Sequence, residues 1–405
     1  MRPNFLKGIR FTDLTWAGAG PFGTKVFSDF GAEVLKIESM TRPDSVRTAG
    51  PFKDGVVGTN RSGYFASRNT GKHSVSLNLK AEEARQIVRD LVAHSDVVCN
   101  NFGPGAMDRL GFGYEALREI KPDIIYLSMP MYGQDGPRAE LLGVGMTISA
   151  VTSIMWQTAY GADDPVGPGT HYPDHAANPY HAAFAVLAAL AHRRKTGRGM
   201  KIDLSQVEST SNFVGPAIVE AGATGRELPQ IGNRSRNHAP HNIFQASGDD
   251  AWVAIAVTDD AQWRALTQVI GRPDLAADVG LSHAAGRFAE QARVEEAVAG
   301  WVRERDVAQI VASLRSQGIA VAQVSSSREL IENDPQLAHR RYWQYVEHPE
   351  VGPVLLSSLP FTIDGERVQL ERPPLFGEHT EAVLSGLLGF SDERIKALNE
   401  LGALS

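Results

Sequence analysis

From residue 9 to about 128, short apolar runs alternate with stretches of helical periodicity. Residues 9–14 predict a strand, 21–30 a helix and 33–37 a second strand. A glycine-rich polar segment, 39–63, precedes another strand at 74–79. Residues 81–93 then place Ala84, Ile87, Val88 and Leu91 on one face of an amphipathic helix. Strands at 96–99 and 124–128 flank a helix at 114–120. Such alternation implies βαβ units around a parallel sheet covered on both faces. The expected fold class is α/β, with a large doubly wound, Rossmann-like domain and a smaller α/β domain.

Beyond residue 170 the punctuation becomes sharper. Asn178-Pro179 predicts a helix start, with asparagine as the cap and proline in the first turn, and Gly197 predicts its end. A strand at 201–204 and an apolar helix at 206–221 follow, and the Gly-, Arg-, Asn- and Pro-rich stretch 222–240 suits a linker or binding loop. Residues 252–257 open a second, smaller unit that runs to about 324. Prolines at 349, 353, 360, 373 and 374 predict an extended return, ending in helices at 378–388 and 392–401. The expected division is 1–222 for the first part of the large domain, 223–330 for the small domain, and 331–405 for the return and the rest of the large domain.

The 405 residues carry 40 basic and 47 acidic side chains, a formal charge of -7, and 42% hydrophobic positions, which is ordinary for a folded protein of two or three cores. A mildly acidic total argues against a nucleic-acid-coating role. The N-terminus lacks an apolar signal region, and no run approaches the ~18 apolar residues of a membrane span. One cysteine, Cys99, excludes an internal disulfide, so a reducing, cytoplasmic setting is expected.

Gly18-Ala19-Gly20-Pro21-Phe22-Gly23 matches G-x-G-x-x-G between a strand and a helix, and Glu38 ends the next strand. That pattern can serve a nicotinamide or flavin nucleotide, with the acid on the ribose. It is also what a tight strand-to-helix turn requires for packing alone, and the turn by itself leaves both open.

Six further segments change the picture. They are Phe30-Gly31-Ala32-Glu33-Val34-Leu35-Lys36-Ile37-Glu38, Asn69-Thr70-Gly71-Lys72-His73-Ser74, and Asn101-Phe102-Gly103-Pro104-Gly105-Ala106-Met107-Asp108-Arg109-Leu110-Gly111. Tyr132-Gly133-Gln134-Asp135-Gly136-Pro137, Arg194-Lys195-Thr196-Gly197-Arg198-Gly199 and Pro374-Leu375-Phe376-Gly377-Glu378-His379-Thr380 complete the set. In this order the chain resembles the class III CoA transferases, the group of formyl-CoA and carnitine CoA transferases. The resemblance implies a catalytic Asp174, here preceded by Pro173 where family members often have glycine. It implies that Trp16, Ala17, Gly18 and Ala19 lie along bound CoA, that Lys72 and Arg109 serve its nucleotide end, and that Asn101, Phe102 and Gly103 give backbone and stacking contacts. Tyr132 matches an active-site tyrosine. A family arginine is replaced by Ser39, with Arg42 or Arg47 as the expected substitute.

An aspartate suits the chemistry, because CoA transfer needs a nucleophile whose acyl adduct is itself reactive. Residues 41–47 and 60–65 resemble the branch of the family that activates aromatic or dicarboxylic acids, those of the benzylsuccinate type included. That resemblance implies a free acid of this kind as acceptor and an acyl-CoA, succinyl-CoA, as donor. Arg47, Arg61 or Arg234 would hold a second carboxylate. Coenzyme A is a substrate here, with no permanently bound cofactor. His171, His175 and His181 lack an ordered scaffold and partner carboxylates beyond Asp174 for a metal site, and none is expected. The resemblance also implies an interlocked homodimer, or pairing with a related subunit. The α-methylacyl-CoA racemases of the same fold use a Gly-His-Asp stretch where this chain has Leu142-Gly143-Val144-Gly145-Met146, so racemisation is the alternative only if nearby histidines substitute. An NAD- or FAD-dependent oxidoreductase is the more distant alternative.

Overall fold

The computed structural model describes residues 4–161 and 164–405. The chain forms two compact units, one of Met1–Met155, Gly167–Glu227 and Ala338–Ser405, the other of Trp156–Val166 and Leu228–Leu337.

The first unit is built on six parallel strands, β1 (Arg10–Asp13), β2 (Glu33–Glu38), β3 (His73–Ser76), β4 (Val97–Asn100), β5 (Ile125–Ser128) and β6 (Met200–Asp203). Their order is β3-β2-β1-β4-β5-β6, with Phe11 beside Val97 and Asp13 beside Cys99 in the central pair. Phe11, Val34, Leu35, Val97, Val98 and Ile125 have no exposed surface, because helices cover both faces. The helix α1 (Ala19–Asp29) follows β1, α2 (Glu82–Ala93) follows β3, and α3 (Asn178–Thr196) precedes β6. On one face Ile87, Val88 and Leu91 of α2 pack with Leu35, Leu77 and Phe112, joined by Leu384 and Leu398 from the C-terminal helices. On the other face Phe27 of α1 and Val186 of α3 pack with Phe11, Val34 and Ile125. Truncating one such side chain, Leu91→Ala for example, costs about 2–5 kcal/mol.

The polar punctuation reads mostly as expected. Gly197 ends α3 in the left-handed region at φ 71. Asn178 is its first residue, while the cap position is Ala177, with no side-chain capping bond. A π-helical turn, Pro173–Ala177, precedes it, with the Asn178 N–H bonded to the Pro173 carbonyl. Pro179 has no N–H for the carbonyl of His175 and would clash with it in a regular helix, and a widened turn removes that conflict. The helix expected at 206–221 is broken into Gln206–Ser211, a 3-10 turn at Asn212–Val214 and Gly215–Thr224. Gly215-Pro216 causes the break. The return connection is more ordered than expected, since Trp343–His348 and Gly352–Ser357 form an antiparallel hairpin. Two strands alone have only edges, where Pro353 is tolerated.

The second unit carries a three-stranded antiparallel sheet, His241–Gln245, Trp252–Ala256 and Ala320–Gln323 in that order. The first of these directly follows the stretch read as a linker and went unread, because its polar sequence hides the alternation. Val253, Ile255, Trp263, Leu266, Val298, Val302 and Ile310 form its core. Among the described residues no helix is long and apolar enough to cross a membrane.

Candidate functional site

At β1 and β4 the strand order reverses, so the connections leave in opposite directions and a crevice opens at the carboxyl ends of the strands. The loops that border it are locked to each other. Asn101, just past β4, accepts the Trp16 N–H and donates to the Trp16 carbonyl, both at 2.8 Å. The Trp16 and Phe102 rings meet edge to face at 5.6 Å. Ala17 has φ 61, a backbone conformation that costs a residue with a Cβ about 1–2 kcal/mol. It is held there because buried Asp44 accepts its N–H at 2.9 Å. Lys36 in turn bonds Asp44 and the Thr15 carbonyl, each at 2.9 Å.

The crevice is a cavity of about 440 Å³ with an apolar wall of Leu14, Ile37 and Leu142. Trp16, Phe102 and Gly103 line it, and so do three cationic side chains, Arg42, Lys80 and Arg109. The Arg42 guanidinium lies 5.1 Å from the Trp16 ring. At Ser39 the hydroxyl donates to the Ser405 carbonyl at 2.7 Å, so the position without an arginine ties down the C-terminus while Arg42 occupies the crevice. Lys80 went unrecognised in the sequence, and only its position after β3 could have pointed to it.

Asp174 sits in the π-helical turn ahead of α3, buried at 6% exposure. Two loops that reach the crevice also press on its carboxylate. A Cβ at Gly18, two residues past Trp16, would come 2.3 Å from Oδ2, and one at Gly145, three past Leu142, would come 2.9 Å from it. Ala19, next to Gly18, is buried as the first residue of α1. Burial pushes the Asp174 carboxyl up to about 6, against the opposing pull of the His171 and Arg68 charges and a hydrogen bond from the Gly145 backbone. The glycines of the G-x-G-x-x-G turn thus have packing partners. Gly18 faces Asp174, Gly20 faces Thr15 and Gly23 faces Pro179.

Other residues expected at the site lie elsewhere. Lys72 is in the core at 2% exposure, where Nζ bonds Asp13, Thr24, Asn69 and the Pro21 carbonyl at 2.7–3.1 Å. Burial brings its ammonium down to about 8 despite Asp13, and it has no donor left for a phosphate. Tyr132 is half-buried after β5 and does not line the crevice. Arg47 is fully buried and forks onto Glu38 at 2.6 and 2.7 Å. Ser74 donates to the same carboxylate at 2.7 Å, so the acid that a dinucleotide ribose would need is saturated. Arg61 lies 3.8 Å from Asp54 and 4.0 Å from Glu350, and Arg234, in the second unit, pairs with Glu295. Each of the three arginines expected to hold a second carboxylate is engaged by acidic partners within its own unit. An arginine whose charge does act on Asp174 is Arg68, which sequence reading passed over.

His175 Nδ1 and Nε2 each lie 3.0 Å from Arg68 Nη2, and His181 Nδ1 lies 2.6 Å from Ser209 Oγ. Among the described residues no group of three His, Cys, Asp or Glu side chains could hold a metal.

A buried carboxylate at a helix start is thus joined by two loops to a cation-lined crevice at the switch point of an α/β sheet. Comparison with known proteins is specific. The family described as CoA-transferase family III matches residues 6–380, and the chain belongs to that family. It is 34% identical to an acetyl-CoA:oxalate CoA-transferase of Acetobacter aceti over 90% of this chain and 91% of the relative. A formyl-CoA:oxalate CoA-transferase of Streptomyces avermitilis is 30% identical over 98% and 99%. Among solved structures, a CAIB/BAIF family protein of Brucella suis superposes with a TM-score of 0.86 at 28% identity, covering 95% of this chain and all of that one.

Proposed function

We propose that Asp174 is the nucleophile of a CoA transfer from an acyl-CoA, with succinyl-CoA as donor, to a free carboxylic acid. The observation that carries this reading is the Asp174 carboxylate itself, buried yet pressed against two glycines whose loops continue into the crevice.

The Asp174 carboxylate attacks the donor thioester carbonyl, the C–S bond breaks, and CoA leaves as thiolate from a mixed aspartyl anhydride. The thiolate then attacks the aspartyl carbonyl and expels the donor acid as its carboxylate, which leaves an aspartyl-CoA thioester. The acceptor carboxylate attacks that carbonyl, freeing the thiolate and forming a second anhydride. Thiolate attack on the acceptor acyl group yields the new acyl-CoA and restores the carboxylate. Gly145 N–H and the positive end of the helix would face the oxyanions, and one such donor is worth about 3–4 kcal/mol in other enzymes.

Trp16, Ala17, Gly18 and Ala19 border the pantetheine arm in this reading, and Asn101, Phe102 and Gly103 its far side. Arg42, Lys80 and Arg109 meet the pyrophosphate and 3′-phosphate. Among relatives, a protein of Chloroflexus aurantiacus named succinyl-CoA–L-malate CoA-transferase beta subunit supports a succinyl donor and a dicarboxylic acceptor. A homodimer belongs to the same reading. It is supported by apolar residues exposed on the first unit, Phe184 at 76%, Val219 at 70% and Ile218 at 53%.

The test is to incubate the protein with succinyl-, acetyl- and formyl-CoA, trap with hydroxylamine or borohydride, and map the modified peptide. Label at Asp174 and an inactive Asp174→Ala variant are expected. Label elsewhere, or full activity of the variant, would sink the reading.

A further inference from the structure

Among the described residues no carboxylate contacts the buried cation Arg68. It is 3% exposed, and its guanidinium lies 3.6 Å from the centre of the Tyr64 ring. Its donors meet neutral groups. Nη1 donates to the Ser67 hydroxyl at 2.7 Å and the Tyr64 carbonyl at 3.4 Å, while Nη2 faces the His175 ring nitrogens. His175 is held down to about 4 by burial and by the Arg68 and His171 charges, so its ring is neutral near pH 7. Nε is buried and has no acceptor among the described residues. His175 follows Asp174 in the same π-helical turn, so the guanidinium that faces its ring stands next to the turn that carries the Asp174 carboxylate, whose charge acts on it. The Tyr64 phenol is raised above its ordinary value and is neutral near pH 7.

A buried charge is costly unless something opposite balances it. Here the balancing group is the one that the reaction consumes. In the free protein the Asp174 carboxylate offsets Arg68. Once the donor acid has left as its carboxylate and CoA is bonded to the aspartyl carbonyl, neither Asp174 nor the sulfur carries charge. Arg68 then stands alone in a water-poor site.

We infer that Arg68 is a positioning residue that makes the aspartyl-CoA form, rather than the free protein, the form that attracts the acceptor's carboxylate. This rests on the reading of Asp174 as nucleophile. The guanidinium need not touch the acid. Its charge favours an anion at the aspartyl carbonyl because no other anion remains there. The consequence is an ordered preference. Free acid competes poorly with acyl-CoA for the resting protein and is drawn in after the donor acid has departed.

The experiment separates the two half-reactions. Wild type, Arg68→Lys, Arg68→Gln and Arg68→Met are incubated with the three donors, and the Asp174–CoA adduct is quantified by mass. Adduct is then discharged with oxalate, succinate or benzoate, and in parallel with hydroxylamine, a neutral nucleophile. The expected result is that R68M and R68Q slow discharge by acids about tenfold or more, mainly through a higher KM for the acid, while discharge by hydroxylamine changes far less. R68K recovers most of the rate. Equal slowing of acids and hydroxylamine, or no slowing of either, overturns the inference while leaving the nucleophile in place. Absence of any adduct at Asp174 in the wild type overturns the nucleophile reading itself. Circular dichroism of R68Q and R68K ensures that at least one folded variant is compared.

Discussion

The carboxylate of Asp174 occupies the space that a side chain at Gly18 would fill, with 2.3 Å between Oδ2 and the position of a Cβ there. One glycine thereby couples the crevice loop to this carboxylate. Gly18→Ala forces either the loop or the carboxylate to move. Displacement of a reacting group by an ångström costs about 100-fold in rate. We expect kcat to fall by that order, with overpacking costing only about 1–3 kcal/mol of stability. Steady-state kinetics and thermal melts of the variant check both. Activity near wild type would show that the carboxylate does not need its present position.

Asp174 also fixes a pH dependence. Attack requires the ionised form, and the carboxyl titrates at about 6, so acylation should fall as pH drops through 6 and level off above 7. The groups around it are Tyr64, Arg68, His171 and His175. The stability consequence has the opposite sense. A carboxyl whose folded pKa is raised destabilises the fold when ionised. That cost is absent below the ordinary 3.8 and complete above 6. It amounts to about 3 kcal/mol at pH 8. Asp174→Asn should therefore melt higher than wild type at pH 8, with the gap closing toward pH 4. A variant that melts lower at pH 8 would contradict the burial argument.

Lys72 separates a structural role from a binding one. Its ammonium balances Asp13 beneath β1, with side-chain exposure of 0% for both. Lys72→Ala leaves that carboxylate buried and unpaired, a loss of about 3–5 kcal/mol. Denaturant unfolding should show it, whereas KM for acyl-CoA in the folded fraction should stay near wild type. A raised KM with unchanged stability would return Lys72 to the phosphate side.

What was legible in the sequence follows the strength of local signals. All six parallel strands and the helices at 19–29, 82–93, 114–120 and 178–196 were readable, because doubly covered strands read as short apolar runs and helices announce themselves by a 3.6 period or by their end signals. Short helices such as Gly145–Val151 were not read. The polar strand His241–Gln245 and the proline-containing hairpin at 343–357 carry no such period, and their pairing is decided by tertiary contacts. Trp16, Phe102 and Arg109, singled out by motif position, line the crevice in the segments that follow β1 and β4, and Asn101 bonds Trp16. Lys72 is not among them, since a lysine beside a glycine reads the same whether it faces solvent or Asp13. Arg68 was passed over for the complementary reason. Nothing local announces that an arginine six residues before Ser74 will be buried next to a residue a hundred positions away.

The cationic rim yields the last prediction. Arg42, Lys80 and Arg109 line the crevice and are exposed. Exposed charges act weakly one at a time, about 0.2–1 kcal/mol each, and are screened by salt. Single alanine substitutions should raise KM for acyl-CoA only a few-fold, and the triple variant should lose most of the salt dependence of kcat/KM. Melting temperature should hardly move, because none of the three is a core group. An acyl-pantetheine, which has the thioester but no phosphate, supplies the control. Its turnover should be low in the wild type and unaffected by the triple substitution. If the triple variant handles acyl-pantetheine worse than wild type, the rim serves the acyl end or the loops, and phosphate recognition lies elsewhere.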